Sequence, residues 1–150
     1  MLSQTRSGGQ SMPNIRKTRE EGIRILVVDD EEPVRGVLKS YLEKFDYRTL
    51  EATDGKEALR LLETEPVDIV ISDNQMPGMS GVELYRRIEE RDPQLAGRFL
   101  LITGAKHAPE VVGFVRDSKA SFLEKPFQLK EISSLVEEMV SQLEETSPAA

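Results

Sequence analysis

The chain has 150 residues, 38% of them apolar, enough for one domain with a core of its own. It holds no Cys and one His, His107, which excludes disulfides, thiolate metal sites and any multi-histidine zinc site built from this chain. A formal net charge of −7 argues against nucleic acid as a partner, and no apolar run approaches the ~18 residues of a membrane span, so a cytoplasmic protein is expected.

Residues 1–22 are rich in Ser, Gly, Gln, Arg and Lys without an apolar period, and read as a flexible N-terminal lead-in or linker. Residues 23–143 then alternate short aliphatic runs with helical ones, and form the expected domain. Ile23–Val28 reads as a buried strand that ends in Asp29 and Asp30. Pro33 suits the first turn of a helix, Glu31 and Glu32 favour its positive end, and Val34, Val37, Leu38, Tyr41, Leu42 and Phe45 fall on one face. Tyr47–Ala52 is a second strand, after which Asp54 can cap a second helix. Val67–Ser72 is a third strand, ending in Asp73; Ser80 and Glu83 then form an S-x-x-E capping box for a third helix. Arg98–Ile102 is a fourth strand, ending in Thr103. A fourth helix falls within 108–117, preceded by an exposed loop that carries the isolated His107. Ser121–Glu124 is a fifth strand, followed by Lys125 and Pro126. Leu129, Ile132, Val136, Met139 and Leu143 stripe a last helix, and residues 144–150 read as a tail. Met76, Met79 and Met139 read as packing residues, not ligands.

Alternating strands and helices imply an α/β fold with a parallel sheet and helices on both faces. In such a sheet the carboxyl ends of the strands lie along one edge, where ligands bind. Asp29, Asp30, Asp73, Thr103 and Lys125 would therefore converge. Two carboxylates ~5 Å apart repel by ~3 kcal/mol at an effective dielectric of 20, more than one Lys offsets for three acids. A hard divalent cation, Mg²⁺, resolves this, and without it at least one acid should have a raised pKa.

The segments "ILVVDDEEPVR", "IVISDNQMPGMSG", "LLITG" and "FLEKPF", in this order and in register with the βα repeat, resemble the receiver domain of two-component response regulators. The resemblance implies a flavodoxin-like five-stranded parallel sheet of order 2-1-3-4-5. It implies that Asp73 is the phosphoacceptor, that Asp29, Asp30 and Asp73 hold Mg²⁺ with the backbone carbonyl of Gln75, and that Thr103 and Lys125 contact the phosphoryl oxygens. It further implies a cis Lys125–Pro126 peptide, Thr103 and Phe122 as the moving parts of a switch, and room for the phosphoryl group at Gly104. Ser118 and Lys119 stand where the family often has a Gly. The implied partners are a histidine kinase or histidine phosphotransfer protein as donor, and a downstream protein that reads the face of the fourth helix, fifth strand and fifth helix. Self-catalysed phosphotransfer and slow autodephosphorylation would follow, with Gln75 and Ala105 flanking the pocket.

Two other readings compete. An Asp-nucleophile phosphohydrolase usually carries a second acid two residues after the nucleophile, where this chain has Gln75. A pseudo-receiver acting only as a binding module is disfavoured by the complete set of site residues. Nucleotide-binding glycine motifs are absent from the sequence. The expectation is a receiver that is stand-alone or excised from a hybrid histidine kinase.

Overall fold

The computed structural model describes residues 22–145. The expected lead-in and tail therefore lie outside the described residues, apart from Gly22, Glu144 and Glu145. Five strands are present, β1 (Arg24–Val28), β2 (Arg48–Ala52), β3 (Ile69–Asp73), β4 (Phe99–Thr103) and β5 (Ser121–Glu124). They pair in parallel in the order β2-β1-β3-β4-β5. The helices are α1 (Glu32–Glu43), α2 (Gly55–Thr64), α3 (Gly81–Arg91), α4 (Pro93–Ala96), α5 (Pro109–Asp117) and α6 (Leu129–Glu145).

Strand periodicity splits the core into two layers. Ile25 and Val27 face a cluster built with Leu38 and Leu42 of α1 and Ile132 and Val136 of α6. Leu26 and Val28 face the opposite cluster, which takes Ala58 of α2, Leu84 and Ile88 of α3, and Val111 and Phe114 of α5. Both layers are dry, so the strands carry apolar residues on both faces, as a doubly covered parallel sheet requires. The order reverses at β1, which pairs with β2 on one side and β3 on the other. That reversal opens a crevice at the carboxyl ends of β1 and β3.

Three expectations need correction. The first four strands begin one or two residues later than Ile23, Tyr47, Val67 and Arg98, at Arg24, Arg48, Ile69 and Phe99, where ladder pairing starts, while Asp73 and Thr103 close β3 and β4 as expected. The α1 stripe is narrower than its period suggested: Val37 is 53% exposed, and Phe45 lies beyond the helix end, stacked edge-on against Tyr41. The Ser80 hydroxyl accepts the Glu83 N–H at 3.1 Å, but the Glu83 carboxylate turns to Arg87 at 3.0 Å, so only half of the capping box forms. One element escaped the sequence reading. The single turn α4 is capped by Asp92, which accepts the Leu95 N–H at 3.1 Å, and four residues are too few to show a period.

The start of α3 presses directly on the end of β3. A Cβ at Gly81 would stand 2.6 Å from the Asp73 carbonyl oxygen, 2.7 Å from Leu101 Cδ1 and 2.9 Å from Asn74 Cα. Two of those neighbours are backbone and cannot rotate away. Gly81→Ala should therefore destabilise the fold by about 1–3 kcal/mol, although Ala gains up to ~1 kcal/mol of helix propensity. A urea midpoint equal to that of the unaltered chain would show that the β3–α3 loop relaxes instead.

Candidate functional site

Three carboxylates meet at the crevice. Asp29 and Asp30 follow β1, and Asp73 closes β3; one ligand oxygen from each lies within 4.8 Å of the others. Asp29 and Asp73 are buried, and Asp30 is exposed. Asp29 is held at three points. Its N–H donates to the Ala52 carbonyl at 3.1 Å, its Oδ1 accepts the Glu31 N–H at 2.9 Å, and its carbonyl accepts Arg35 at 2.8 Å.

Lys125, just past β5, places its ammonium 2.7 Å from Asp73 Oδ1. The contact joins a charged donor to a buried carboxylate oxygen. Burial by itself would lower the Lys125 ammonium; the contact with Asp73 and the charges of Asp29 and Glu31 outweigh it and hold it above its ordinary value of 10.5. The Lys125–Pro126 peptide is cis.

Thr103 is fully buried and its hydroxyl oxygen accepts the Ala105 N–H at 2.9 Å. Its carbonyl accepts the Lys125 N–H at 2.9 Å, which seats Thr103 between the acid cluster's strand and the lysine. Gly104 is exposed, and the nearest atom to a Cβ there is 3.7 Å away. Gln75 sits exposed in the β3–α3 loop two residues beyond Asp73. Phe122 is not at the carboxylates. It lies on β5 opposite Leu101 and packs, half-buried, against the core layer of α3 and α5. His107 is exposed in the turn before α5.

The donor set suits a hard divalent cation. It offers carboxylate oxygens, two of its three acids are buried, and all three face a single lysine. At 4.8 Å two unit charges repel by roughly 3.5 kcal/mol at an effective dielectric of about 20. The cost shows at Asp29. Burial is the larger cause, the charge of Asp73 adds to it, and the Glu31 N–H only partly opposes them, so the Asp29 carboxyl is held above its ordinary value of 3.8.

Residues 25–137 match the family described as the response regulator receiver domain. The chain belongs to that family. It is 30% identical over 127 residues to the alkaline phosphatase synthesis transcriptional regulatory protein PhoP of Bacillus subtilis, covering 85% of this chain and 52% of that protein. It is 34% identical over 117 residues to the response regulator receiver protein CpdR of Brucella abortus, covering 78% and 96%. Among solved structures, the signal receiver domain of a signal transduction histidine kinase from Syntrophus aciditrophicus superposes with a TM-score of 0.75 at 29% identity, covering 86% of this chain and 98% of that one. The chain thus spans about half of PhoP and nearly all of CpdR. Receiver domains are the phosphoacceptor signalling modules of two-component systems, and this one carries their acidic pocket. Among its described residues no helix is long and apolar enough to cross a membrane.

Several contacts of this receiver's site were not read from sequence. Arg35 ties the Asp29 carbonyl to Glu51 of β2. Asn74 accepts the Val82 N–H at 3.0 Å and donates to Glu110 at 3.3 Å, and Ser80 donates to Glu110 at 3.2 Å. Asn74 and Glu110 left no signal in the sequence. Arg35 did leave one: a cation in the first turn of a helix opposes the dipole and calls for another partner.

The Asp29 shift sets a pH dependence. Its folded pKa is raised, so between the unfolded and the folded value the native metal-free protein holds a proton that the unfolded chain has released. The stability linked to that proton is complete below the unfolded pKa of ~3.9 and is lost as pH rises through the folded value. Asp29→Asn keeps an oxygen for the Glu31 N–H and removes the charge. In EDTA at pH 7 it should be about 1–2 kcal/mol more stable than the unaltered chain after screening, and the gap should close toward pH 4. Mg²⁺ should raise the melting temperature of the unaltered chain and barely that of the variant. A variant that melts lower in EDTA would mean that the acids are not a crowded cluster.

Proposed function

We propose that this receiver accepts a phosphoryl group on Asp73 from the phosphohistidine of a histidine kinase or histidine phosphotransfer protein, in the cytoplasm, and passes the signal on through protein contacts. The observation that carries the reading is the pairing of buried Asp73 Oδ1 with the Lys125 ammonium inside a three-carboxylate cluster. An oxygen of Asp73 attacks phosphorus, the P–N bond to the donor imidazole breaks, and the imidazole leaves with the electron pair and takes a proton. The product is an acyl phosphate.

The transition state spreads charge over three equatorial oxygens, so catalysis is positioning and electrostatics. Lys125, already within reach of Asp73, takes one oxygen. The Thr103 hydroxyl keeps its proton for another, because its oxygen and not its hydrogen is engaged by Ala105. Asp29, Asp30, Asp73 and the Gln75 carbonyl would hold Mg²⁺, which when bound neutralises the acids and the charge developing on the phosphoryl group. Gly104 leaves the space beside Lys125 open. Water later cleaves the acyl phosphate slowly.

The switch runs through Thr103 and Phe122 to the face formed by α5, β5 and α6, where Val112 and Val115 of α5 are 44% and 50% exposed. A two-state response of this kind requires contacts that differ between the states. Thr103 gains a phosphoryl partner in one of them only.

Incubation with acetyl phosphate and Mg²⁺ should add one phosphoryl group, detected by mass, and Asp73→Asn should add none. Phosphate retained by Asp73→Asn would place the acceptor elsewhere. On binding of a phosphoryl mimic, amide shifts should spread through 103–127; shifts confined to the vicinity of Asp73 would remove the switch from the reading.

A further inference from the structure

We infer that Arg35 is a positioning residue for metal binding: it fixes the Asp29–Asp30 peptide and so keeps the exposed Asp30 carboxylate beside those of Asp29 and Asp73. The inference rests on the proposed function in so far as the acid cluster takes Mg²⁺.

Asp30 is the acid of the three with the fewest ties. It is exposed, and among the described residues its side chain has no hydrogen bond or ion pair. Repulsion from Asp29 and Asp73 pushes it toward solvent, where a short, free side chain would go at little cost. Yet its oxygen lies within 4.8 Å of theirs. Its backbone must therefore set its place, and that backbone begins with the peptide joining Asp29 to Asp30.

Arg35 holds this peptide. One terminal nitrogen of its guanidinium donates to the Asp29 carbonyl at 2.8 Å, and its Nε donates to Glu51 Oε1 at 3.0 Å. The Arg35 side chain is only 11% exposed, so it is itself held. The other half of the clamp is also anchored, since Glu51 belongs to β2 and pairs with Val27 of β1. A planar fork with donors fixed relative to each other can span two acceptors, which a lysine ammonium on a flexible stem does less well. Arg35 thus links α1, β2 and the end of β1 around one peptide plane, without touching the carboxylates.

The sign of the effect separates positioning from charge. Arg35 is a cation near a cation site. If charge were its whole influence, its removal would tighten Mg²⁺ binding, because a like charge has gone. If it positions Asp30, its removal weakens binding, by about 10- to 100-fold as for other partners that orient ligands to a metal.

The test is a calorimetric Mg²⁺ titration of the full chain and its variants. Arg35→Met should raise the Kd about 10- to 100-fold. Arg35→Lys, with charge kept and the fork lost, should also raise it, and carries the test alone if the Met variant does not fold. In the metal-free protein the Asp30 amide resonance, which reports the peptide held by Arg35, should move in both variants while the core resonances stay. Mg²⁺ binding by the unaltered chain with an unchanged or lower Kd in the variants overturns the inference and leaves the proposed function standing. An unaltered chain that binds no Mg²⁺ overturns both.

Discussion

Electrostatic crowding at one sheet edge governs this molecule. A parallel sheet delivers the ends of its strands to the same place, and here acids follow β1 and close β3. Asp29 and Asp73 are buried there, where water screens them poorly. Much of the nearby structure serves to hold those charges. The Glu31 N–H donates to Asp29, and the Lys125 ammonium faces Asp73. These compensations are incomplete. Asp29 keeps a raised pKa, and three acids share one lysine. Acids held together at such a cost, at the crevice of a parallel sheet, mark a functional site on physical grounds.

The cost can be carried because the strands cannot yield. Each of β1, β3 and β4 is packed on both faces, so the acids cannot separate by bending the sheet. The loop after β3 is equally constrained. The Asn74 N–H donates to the Ile102 carbonyl, its carbonyl accepts the Gly81 N–H, and its side chain joins Val82 to Glu110. Gly81 has no Cβ because the Asp73 carbonyl occupies the space. Asp73 thus has a fixed strand before it and a fixed loop after it.

The sequence displayed the parts of this that follow from periodicity. The aliphatic runs, the caps at Asp54 and Ser80 and the late stripe from Leu129 to Leu143 correspond to elements of the fold, and the strand-end residue types disclosed the acid cluster before any geometry. What stayed hidden depends on distance in the chain or on shortness. Glu110 meets Asn74 across 36 residues, and Arg35 meets Glu51 across 16; neither contact has a period. The strand starts at Arg24, Arg48, Ile69 and Phe99 depend on ladder pairing with neighbours, which a single strand cannot reveal. The α1 stripe misled because six apolar positions suggested a face wider than the one the sheet covers. Leu38 and Leu42 take the core, and Val37 is left to solvent.

The same contacts shape how the site would communicate with α5. Thr103 accepts the Ala105 N–H, and Ala105 accepts the Ala108 N–H at 3.0 Å, just where α5 begins. A displacement of Thr103 therefore pulls on the start of α5 through two hydrogen bonds in series. Against that pull stand the core packing of Val111 and Phe114 and the two bonds from Glu110, in the first turn of α5, to Asn74 and Ser80, at 3.3 and 3.2 Å. Both are long, and Ser80 is exchangeable with water at its half-exposed position. α5 is covered on one face only, with Val112 and Val115 exposed on the other, whereas the strand of Asp73 is buried on both faces. A switch of the proposed kind would therefore move the Thr103–Ala108 turn and α5 more readily than the sheet.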